Sequence, residues 1–153
     1  MNKKQAIVVG GGLAGLSCAM KLADSGCHVK LISVTHVKRS HSVCAQGGIN
    51  AAMNLKGEGD SPEIHAYDTI KGGDFLGHQP SIVEMCLSAP KIIALLDRMG
   101  CPFNRTPEGD LDFRRFGGTL YNRTAFCGAS TGQQLLYALD EQVRRFEVEG
   151  LVE

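Results

Sequence analysis

A glycine pattern near the start of the chain constrains the fold more than any other part of the sequence. The apolar run Gln5–Val9 leads into Gly10-Gly11-Gly12-Leu13-Ala14-Gly15, which fits GxGxxG. Apolar residues at helical spacing continue to Gly26, and a second apolar run covers 28–33. A strand, a glycine turn, a helix and a second strand in this order predict a βαβ unit, the usual opening of a doubly wound parallel sheet.

The three glycines of the pattern have different physical roles. Gly10 permits a tight turn, Gly12 lets a pyrophosphate approach the backbone, and Gly15 lets the helix pack closely on the strand. Leu13 and Ala14 lie at the helix N-terminus, where free N–H groups and the positive end of the helix dipole favour phosphate. The sequence therefore predicts an α/β fold with a Rossmann-like dinucleotide-binding domain.

The residue that should bind the ribose departs from the general pattern. In such folds the second strand ends in Asp or Glu, about 20 residues beyond the glycines. Ser33 occupies this position, and a serine hydroxyl makes one hydrogen bond where a carboxylate makes two. A freely exchanging NAD is therefore disfavoured, whereas a cofactor that is also held in another way, for example covalently, is compatible with Ser33.

The rest of the chain is predicted to be mainly helical, with one hairpin. Ser61-Pro62-Glu63 marks a helix start, with a capping serine, a proline at the first position and an acid in the first turn. Further elements are predicted as a short helix over 48–55, consecutive helices over 81–88 and 89–99, a hairpin over 103–115, an amphipathic helix over 131–147 and a strand that starts at 151. Because only one βαβ unit is visible, residues 1–153 are interpreted as the N-terminal part of a larger protein.

Composition excludes several classes of partner. The chain has 16 basic and 16 acidic residues, so its net charge offers no basis for binding nucleic acid. The uncharged run over 5–20 contains four glycines and is too short to span a bilayer. The six cysteines form neither a CxxC pair nor a zinc-like spacing, so we predict no metal site and a reducing compartment.

The stretch 39–52, RSHSVCAQGGINAA, carries a resemblance to a known family. Together with the glycine turn, Arg114-Arg115-Phe116-Gly117-Gly118 and Thr131-Gly132, it resembles the flavoprotein subunits of succinate dehydrogenases and fumarate reductases along essentially the whole chain. Ser33 in place of the acid is usual in that family. The resemblance implies that this chain is the N-terminal part of the FAD-binding domain of a larger two-domain flavoprotein, without its capping domain.

The resemblance also implies a set of site residues. The ring of His41 is expected to be linked to the 8α-methyl group of FAD, and Gln46 and Phe116 are expected near the dicarboxylate substrate and the isoalloxazine. The implied cofactor-binding residues are Gly10, Gly12, Leu13, Ala14, Gly15, Ser33, Arg39, Ser40, His41, Ser42, Ala45, Gln46, Gly47 and Gly48. Arg114 and Arg115 could clamp a carboxylate, or they could simply be solvated.

The implied function is interconversion of succinate and fumarate by hydride transfer to or from flavin N5. The implied partners are an iron–sulfur subunit and a membrane-anchor cytochrome b subunit, with the protein peripheral on the cytoplasmic face of the inner cell membrane. In this family the catalytic arginine and most dicarboxylate ligands belong to the capping domain and later loops. We therefore expect no catalytic residue within 1–153, and no turnover by this chain alone.

Two alternatives remain open at this stage. A soluble flavoenzyme similar to L-aspartate oxidase shares the Ala-Gln-Gly-Gly stretch, but that group lacks the linking histidine, so His41 argues against it. A non-catalytic FAD-binding fragment fits the short length of the chain better than any complete enzyme does.

Overall fold

The computed structural model describes residues 4–153. In chain order the principal elements are β1 (Gln5–Val9), α1 (Leu13–Asp24), β2 (His28–Ile32), β3 (Ile49–Asn50), α2 (Pro62–Gly72), α3 (Gln79–Arg98), β4 (Phe113–Arg114), β5 (Thr124–Ala125) and α4 (Thr131–Val148). They form two compact units. The first unit contains the chain up to Ala45, Met99–Cys101 and Gly132–Glu153, and the second contains Gln46–Arg98 and Pro102–Thr131.

The first unit is built on the predicted βαβ motif. Strands β1 and β2 pair in parallel, with Gln5 opposite His28, and α1 buries Leu16 and Ala19. The helix ends before Gly26, whose φ of +80° is a conformation that favours glycine. These observations confirm the strand, helix and helix end that the sequence predicts.

The last residues of the chain extend this sheet. Val152 forms a parallel bridge with Val29, the Val29 N–H donates to the Leu151 carbonyl at 2.8 Å, and the Glu153 N–H donates to the Val29 carbonyl at 2.9 Å. Since the backbone groups of successive residues point to opposite sides of a strand, β2 lies between β1 and this segment. The strand predicted to start at 151 is confirmed.

Helix α4 packs its apolar side into the core of the first unit. The side chains predicted for that side are all buried: Leu135, Leu136, Leu139, Val143 and Phe146. Each fully buried side chain of this kind contributes roughly 1.5–3 kcal/mol. The predicted amphipathic helix is therefore confirmed, and its burial is a main source of stability for this unit.

In the second unit, the predicted start of α2 is correct and the predicted division of α3 into two helices is wrong. The Ser61 hydroxyl accepts a hydrogen bond from the Ile64 N–H at 3.2 Å, which confirms the predicted cap of α2. The two helices predicted over 81–88 and 89–99 are instead the single helix α3, with Pro90 inside it. Proline inside a helix costs about 3 kcal/mol. Burial of Ile93 and Leu96 offsets this cost at roughly 1.5–3 kcal/mol for each side chain.

The second unit also contains a small antiparallel sheet in the order β3-β5-β4. Ile49 pairs with Ala125, and Asn50 pairs with Thr124, so the short helix predicted over 48–55 is wrong. The reason is the pairing with β5, a distant contact that holds these residues as a strand after Gly48, whose φ is +122°. The hairpin predicted over 103–115 is confirmed around its turn, because an antiparallel bridge joins residues 105 and 111. Its outer residues, Phe113 and Arg114, pair with β5 instead.

Candidate cofactor site

The glycine turn has the conformation that its sequence predicts. Gly10 has a φ of +118°, and its N–H donates to the Ile32 carbonyl at 2.8 Å. A Cβ atom on Gly15 would overlap the carbonyl oxygen of Gly10, so only glycine lets α1 start this close to the turn. Gly12 is the extended residue that precedes α1. The turn therefore brings the start of α1 close to Gly10, the arrangement in which a helix N-terminus can bind phosphate.

Ser33 lies directly against this turn. A Cβ atom on Gly11 would come within 2.7 Å of the Ser33 hydroxyl, so the side chain that replaces the ribose acid faces the glycines. Ser33, Thr35, His36 and Asp140 contribute to the wall of a cavity of about 290 Å³ in the first unit. A serine at this place can offer one hydroxyl to a ribose, which agrees with the sequence-based interpretation.

The buried carboxylate of Asp140 forms ion pairs with two basic side chains next to this cavity. Its carboxylate is 3.2 Å from Lys38 Nζ and 2.9 Å from Arg144 Nε, and Lys38 Nζ also lies 5.0 Å from the centre of the Tyr137 ring. The sequence analysis missed this group because 131–147 was interpreted only as an apolar stripe. The available signal was an acid placed between Leu139 and Val143, two residues of that stripe.

The stretch that carries His41 has regular local structure. It forms two short 3₁₀ turns, Val37–Arg39 and His41–Cys44, and the His41 side chain is exposed. The Leu13 N–H, at the start of α1, is 3.4 Å from the Ser42 hydroxyl. Thus Ser42 joins the predicted tether segment to the phosphate-binding end of α1, within one unit.

Helix α4 fixes the same stretch from another side. The Gly132 N–H donates to the Ala45 carbonyl at 2.7 Å, and a Cβ atom on Gly132 would overlap the Ser42 carbonyl oxygen. A side chain at residue 132 would therefore displace the turn that follows His41. The contact of Gly132 with Ser42 could not be predicted from the Thr131-Gly132 motif.

The second unit holds the other predicted site residues. The Phe116 ring occupies the space that a Cβ atom on Gly47 would need, and a Cβ atom on Gly48 would lie 2.5 Å from the Ala125 carbonyl oxygen. Both glycines are thus required by contacts within the protein. Gln46 and Phe116 are exposed. This unit therefore brings Gln46, Gly47, Gly48 and Phe116 together, whereas the glycine turn, Ser33 and His41 belong to the first unit.

The two adjacent arginines differ in their contacts. Arg114 Nη2 donates to the Gly47 carbonyl at 2.7 Å, and its guanidinium lies 4.2 Å from the centre of the Phe126 ring. Arg115 pairs with Glu58 at 3.1 Å and is largely exposed. Arg114 therefore holds the backbone next to Gln46, and Arg115 fits the interpretation as a solvated residue.

A buried ionic cluster lies in the same unit. Arg123 is fully buried, and its guanidinium makes two hydrogen bonds to Asp60, at 3.0 and 2.7 Å, and an ion pair with Asp68 at 2.9 Å. His65, also buried, has an Nδ1 atom with no hydrogen-bond partner in the protein. Burial and the nearby Arg123 charge lower the pKa of His65, so its imidazole is neutral near pH 7. Sequence reasoning did not identify Arg123.

The described part of the chain contains no metal centre of the usual kind. Within residues 4–153 no group of three or more His, Cys, Asp or Glu side chains could hold a metal ion. None of the six cysteines, all within residues 4–153, forms a disulfide, and four of them are buried. Among residues 4–153, no helix has both the length and the apolar character needed to cross a membrane.

Residues 5–153 match the family described as the FAD binding domain, and the chain belongs to that family. The resemblance to flavoprotein subunits is confirmed at the level of sequence. The succinate dehydrogenase flavoprotein subunit of Bacillus subtilis is 69% identical over 152 residues, covering 99% of this chain and 26% of that protein. The fumarate reductase flavoprotein subunit of Mycobacterium tuberculosis is 39% identical, covering 90% of this chain and 23% of that protein.

Solved structures agree with the predicted fold. A quinol fumarate reductase from E. coli superposes with a TM-score of 0.86 at 35% identity, covering 99% of this chain and 25% of that one. The Mycobacterium smegmatis Sdh1 complex gives a TM-score of 0.92 at 28% identity, covering 100% of this chain and 28% of that one. The Rossmann-like FAD-binding fold is therefore confirmed, and the chain spans about a quarter of the length of these relatives.

Proposed function

We propose that the chain binds FAD in its first unit and takes part in the interconversion of succinate and fumarate. The observation that carries this proposal is the junction at Ser42, which joins the N-terminus of α1 to the His41 segment. The glycine turn fits a pyrophosphate because Gly15 approaches Gly10 more closely than any side chain would allow. Ser33 lies where a ribose hydroxyl would be bound.

The proposal includes a covalent bond between a ring nitrogen of His41 and the 8α carbon of FAD. His41 is exposed, and a neutral imidazole nitrogen is a competent nucleophile near pH 7. Formation of this bond would release one proton from the imidazole and one from the methyl group, and the two electrons left over would pass to an acceptor such as fumarate or dioxygen. The contacts of Ser42 and Ala45 keep the His41 turn in place for this reaction.

For the reaction itself, the chain supplies positioning groups. Oxidation of succinate removes a hydride from one methylene carbon and a proton from the other, and FAD, when bound, accepts the hydride at N5. Gln46 and the Phe116 ring would lie beside the dicarboxylate. Arg114 holds the Gly47 carbonyl, and so fixes the backbone between these two side chains. The group that receives the proton is expected outside residues 1–153.

The same proposal covers the partners and the location. Electrons would pass to an iron–sulfur subunit, and a cytochrome b subunit would attach the complex to the cytoplasmic face of the cell membrane. The supporting observations are the similarity to a subunit of a quinol fumarate reductase and to the Sdh1 complex. Co-purification of a tagged flavoprotein subunit with these two subunits from membranes tests this part of the proposal.

The covalent bond can be tested by denaturing the purified flavoprotein and measuring flavin fluorescence that stays with the polypeptide. We expect such fluorescence in the wild type and its loss in His41→Ala. His78→Ala is the matched control, because His78 is also exposed but lies in the second unit. Fluorescence retained equally in His41→Ala would contradict the tether. A wild-type protein with dissociable flavin would favour an enzyme similar to L-aspartate oxidase.

A further inference from the structure

The cluster of Arg123, Asp60 and Asp68 attaches one end of β5 to α2. Asp68 lies on α2, and Asp60 lies two residues before its start. Arg123 is fully buried, and its guanidinium group is planar and rigid. It can therefore bind the carboxylates of Asp60 and Asp68 at the same time in only one position. The side chain of Arg123 therefore fixes the start of β5 with respect to α2, in the interior of the second unit.

The main chain of Arg123 makes a second attachment. Its carbonyl oxygen accepts a hydrogen bond from the Ala51 N–H at 2.7 Å, and Ala51 directly follows β3. The next residue, Thr124, donates from its hydroxyl to the Asn50 side-chain oxygen at 2.5 Å. Thus one residue holds α2 with its side chain and β3 with its backbone.

Strand β5 also contacts the segment Gln46–Gly48, which the sequence predicts to lie near the cofactor. A Cβ atom on Gly48 would lie 2.5 Å from both the Ala125 carbonyl oxygen and the Thr124 methyl carbon. Gly48 is thus packed against β5 with no room for a side chain. Its φ of +122° also leaves it few alternative conformations. A displacement of β5 must therefore move Gly48, and with it the adjoining Gln46 and Gly47.

We infer that Arg123 is a positioning residue for the Gln46–Gly48 segment, acting through β5 and held in place by Asp60 and Asp68. This inference rests on the proposed function, which places Gln46 beside the dicarboxylate. Arg123 itself is too deeply buried to touch the substrate. Its effect on the reaction would be geometric, since small misplacements of a site residue reduce the rate strongly.

The decisive variant is Arg123→Lys, studied in the complete flavoprotein within its native complex. Lysine keeps the positive charge but cannot form the two-pronged bond to Asp60. We expect a fall in kcat/KM for succinate on the order of tenfold to a hundredfold, together with a shift in the flavin midpoint potential. Asp60→Asn should act in the same direction.

The control must separate positioning from loss of stability. Ile93→Ala removes a fully buried side chain from α3, a helix that is not part of the small sheet, and should lower the melting temperature. If Arg123→Lys lowers the melting temperature as Ile93→Ala does but keeps the wild-type potential and kcat/KM, the inference is wrong and the cluster only stabilises the fold.

A second variant covers the case in which Arg123→Lys does not assemble. Thr124→Val keeps the shape of the side chain but removes its hydrogen bond to Asn50, and it leaves the ionic cluster intact. We expect a smaller shift of the potential and of kcat/KM, and unchanged values would overturn the inference. Failure of the proposed function is distinguishable, because the wild-type protein would then contain no flavin or would not oxidise succinate.

Discussion

The backbone N–H of Gly132 donates a 2.7 Å hydrogen bond to the carbonyl oxygen of Ala45. This bond places the first turn of α4 against the residues that follow His41. The contact is so close that a methyl group on Gly132 would overlap the Ser42 carbonyl oxygen. The geometry of the proposed tether therefore depends on a residue more than eighty positions away in the sequence.

Gly132→Ala should lower the stability of the protein by about 1–3 kcal/mol, the usual cost of overpacking. It should also reduce the fraction of covalently bound flavin, because the His41 turn must shift. Gly72→Ala is the control, since no atom lies within 4 Å of its added Cβ. Denaturant unfolding and flavin fluorescence of the denatured protein measure the two effects. Covalent flavin at the wild-type level in Gly132→Ala would show that the turn tolerates the shift.

The cap of α2 gives a prediction about stability alone. Ser61→Ala removes the side-chain acceptor of the Ile64 N–H, which should cost about 1 kcal/mol. Ser17→Ala, at an exposed position of α1, should change the free energy of unfolding much less. Urea titrations of both variants test this prediction, and an equal effect of the two substitutions would contradict the capping role.

His65 predicts a dependence of stability on pH. Its pKa is lowered in the folded state by burial and by the Arg123 charge, so the unfolded chain binds a proton first as the pH falls. Stability should therefore be complete above the unfolded pKa of about 6.5 and should decline below it, until the folded pKa is reached. His65→Gln removes the titrating group. Melting temperatures between pH 7.5 and 5 should fall less steeply in this variant, and parallel curves would contradict the assignment.

Pro90 gives the opposite kind of prediction, an increase in stability. Alanine at this position would restore a backbone N–H inside α3, where proline is about 3 kcal/mol less favourable than alanine. Part of this gain is offset because proline also restricts the unfolded chain, by roughly 0.4–1 kcal/mol. Pro90→Ala should therefore raise the free energy of unfolding by about 2 kcal/mol, measured by urea denaturation. A loss of stability would show that Pro90 is needed for packing.

Local rules predicted the elements whose signals are contained in a few neighbouring residues. The glycine turn, the Ser61 cap and the apolar side of α4 are of this kind, and each is confirmed. Pro90 and Gly48 were misjudged because distant contacts decide their conformations. Burial of Ile93 and Leu96 keeps α3 continuous, and pairing with β5 converts the stretch after Gly48 into a strand.

The same distinction applies to the candidate site. Residues inside recognisable motifs, such as Ser33, His41 and Phe116, could be named from the sequence. Arg114 and Arg123 could not be assigned their contacts, because each meets its partners across a long stretch of chain. The same holds for the pair of Asp140 with Lys38, although the other partner of Asp140, Arg144, is only four residues away. Arg114, for example, bonds to Gly47 from a separation of 67 residues. Spacing rules do not describe such contacts.

The pairing of Val29 with Val152 has a consequence for synthesis on the ribosome. All of the second unit is encoded between these two partners, so it leaves the exit tunnel while β2 still lacks its bridge to Val152. Contacts between residues so distant in sequence form slowly and leave strand edges exposed in the meantime. The nascent first unit must therefore wait, with β2 unpaired on one side, until residues 151–153 have left the tunnel.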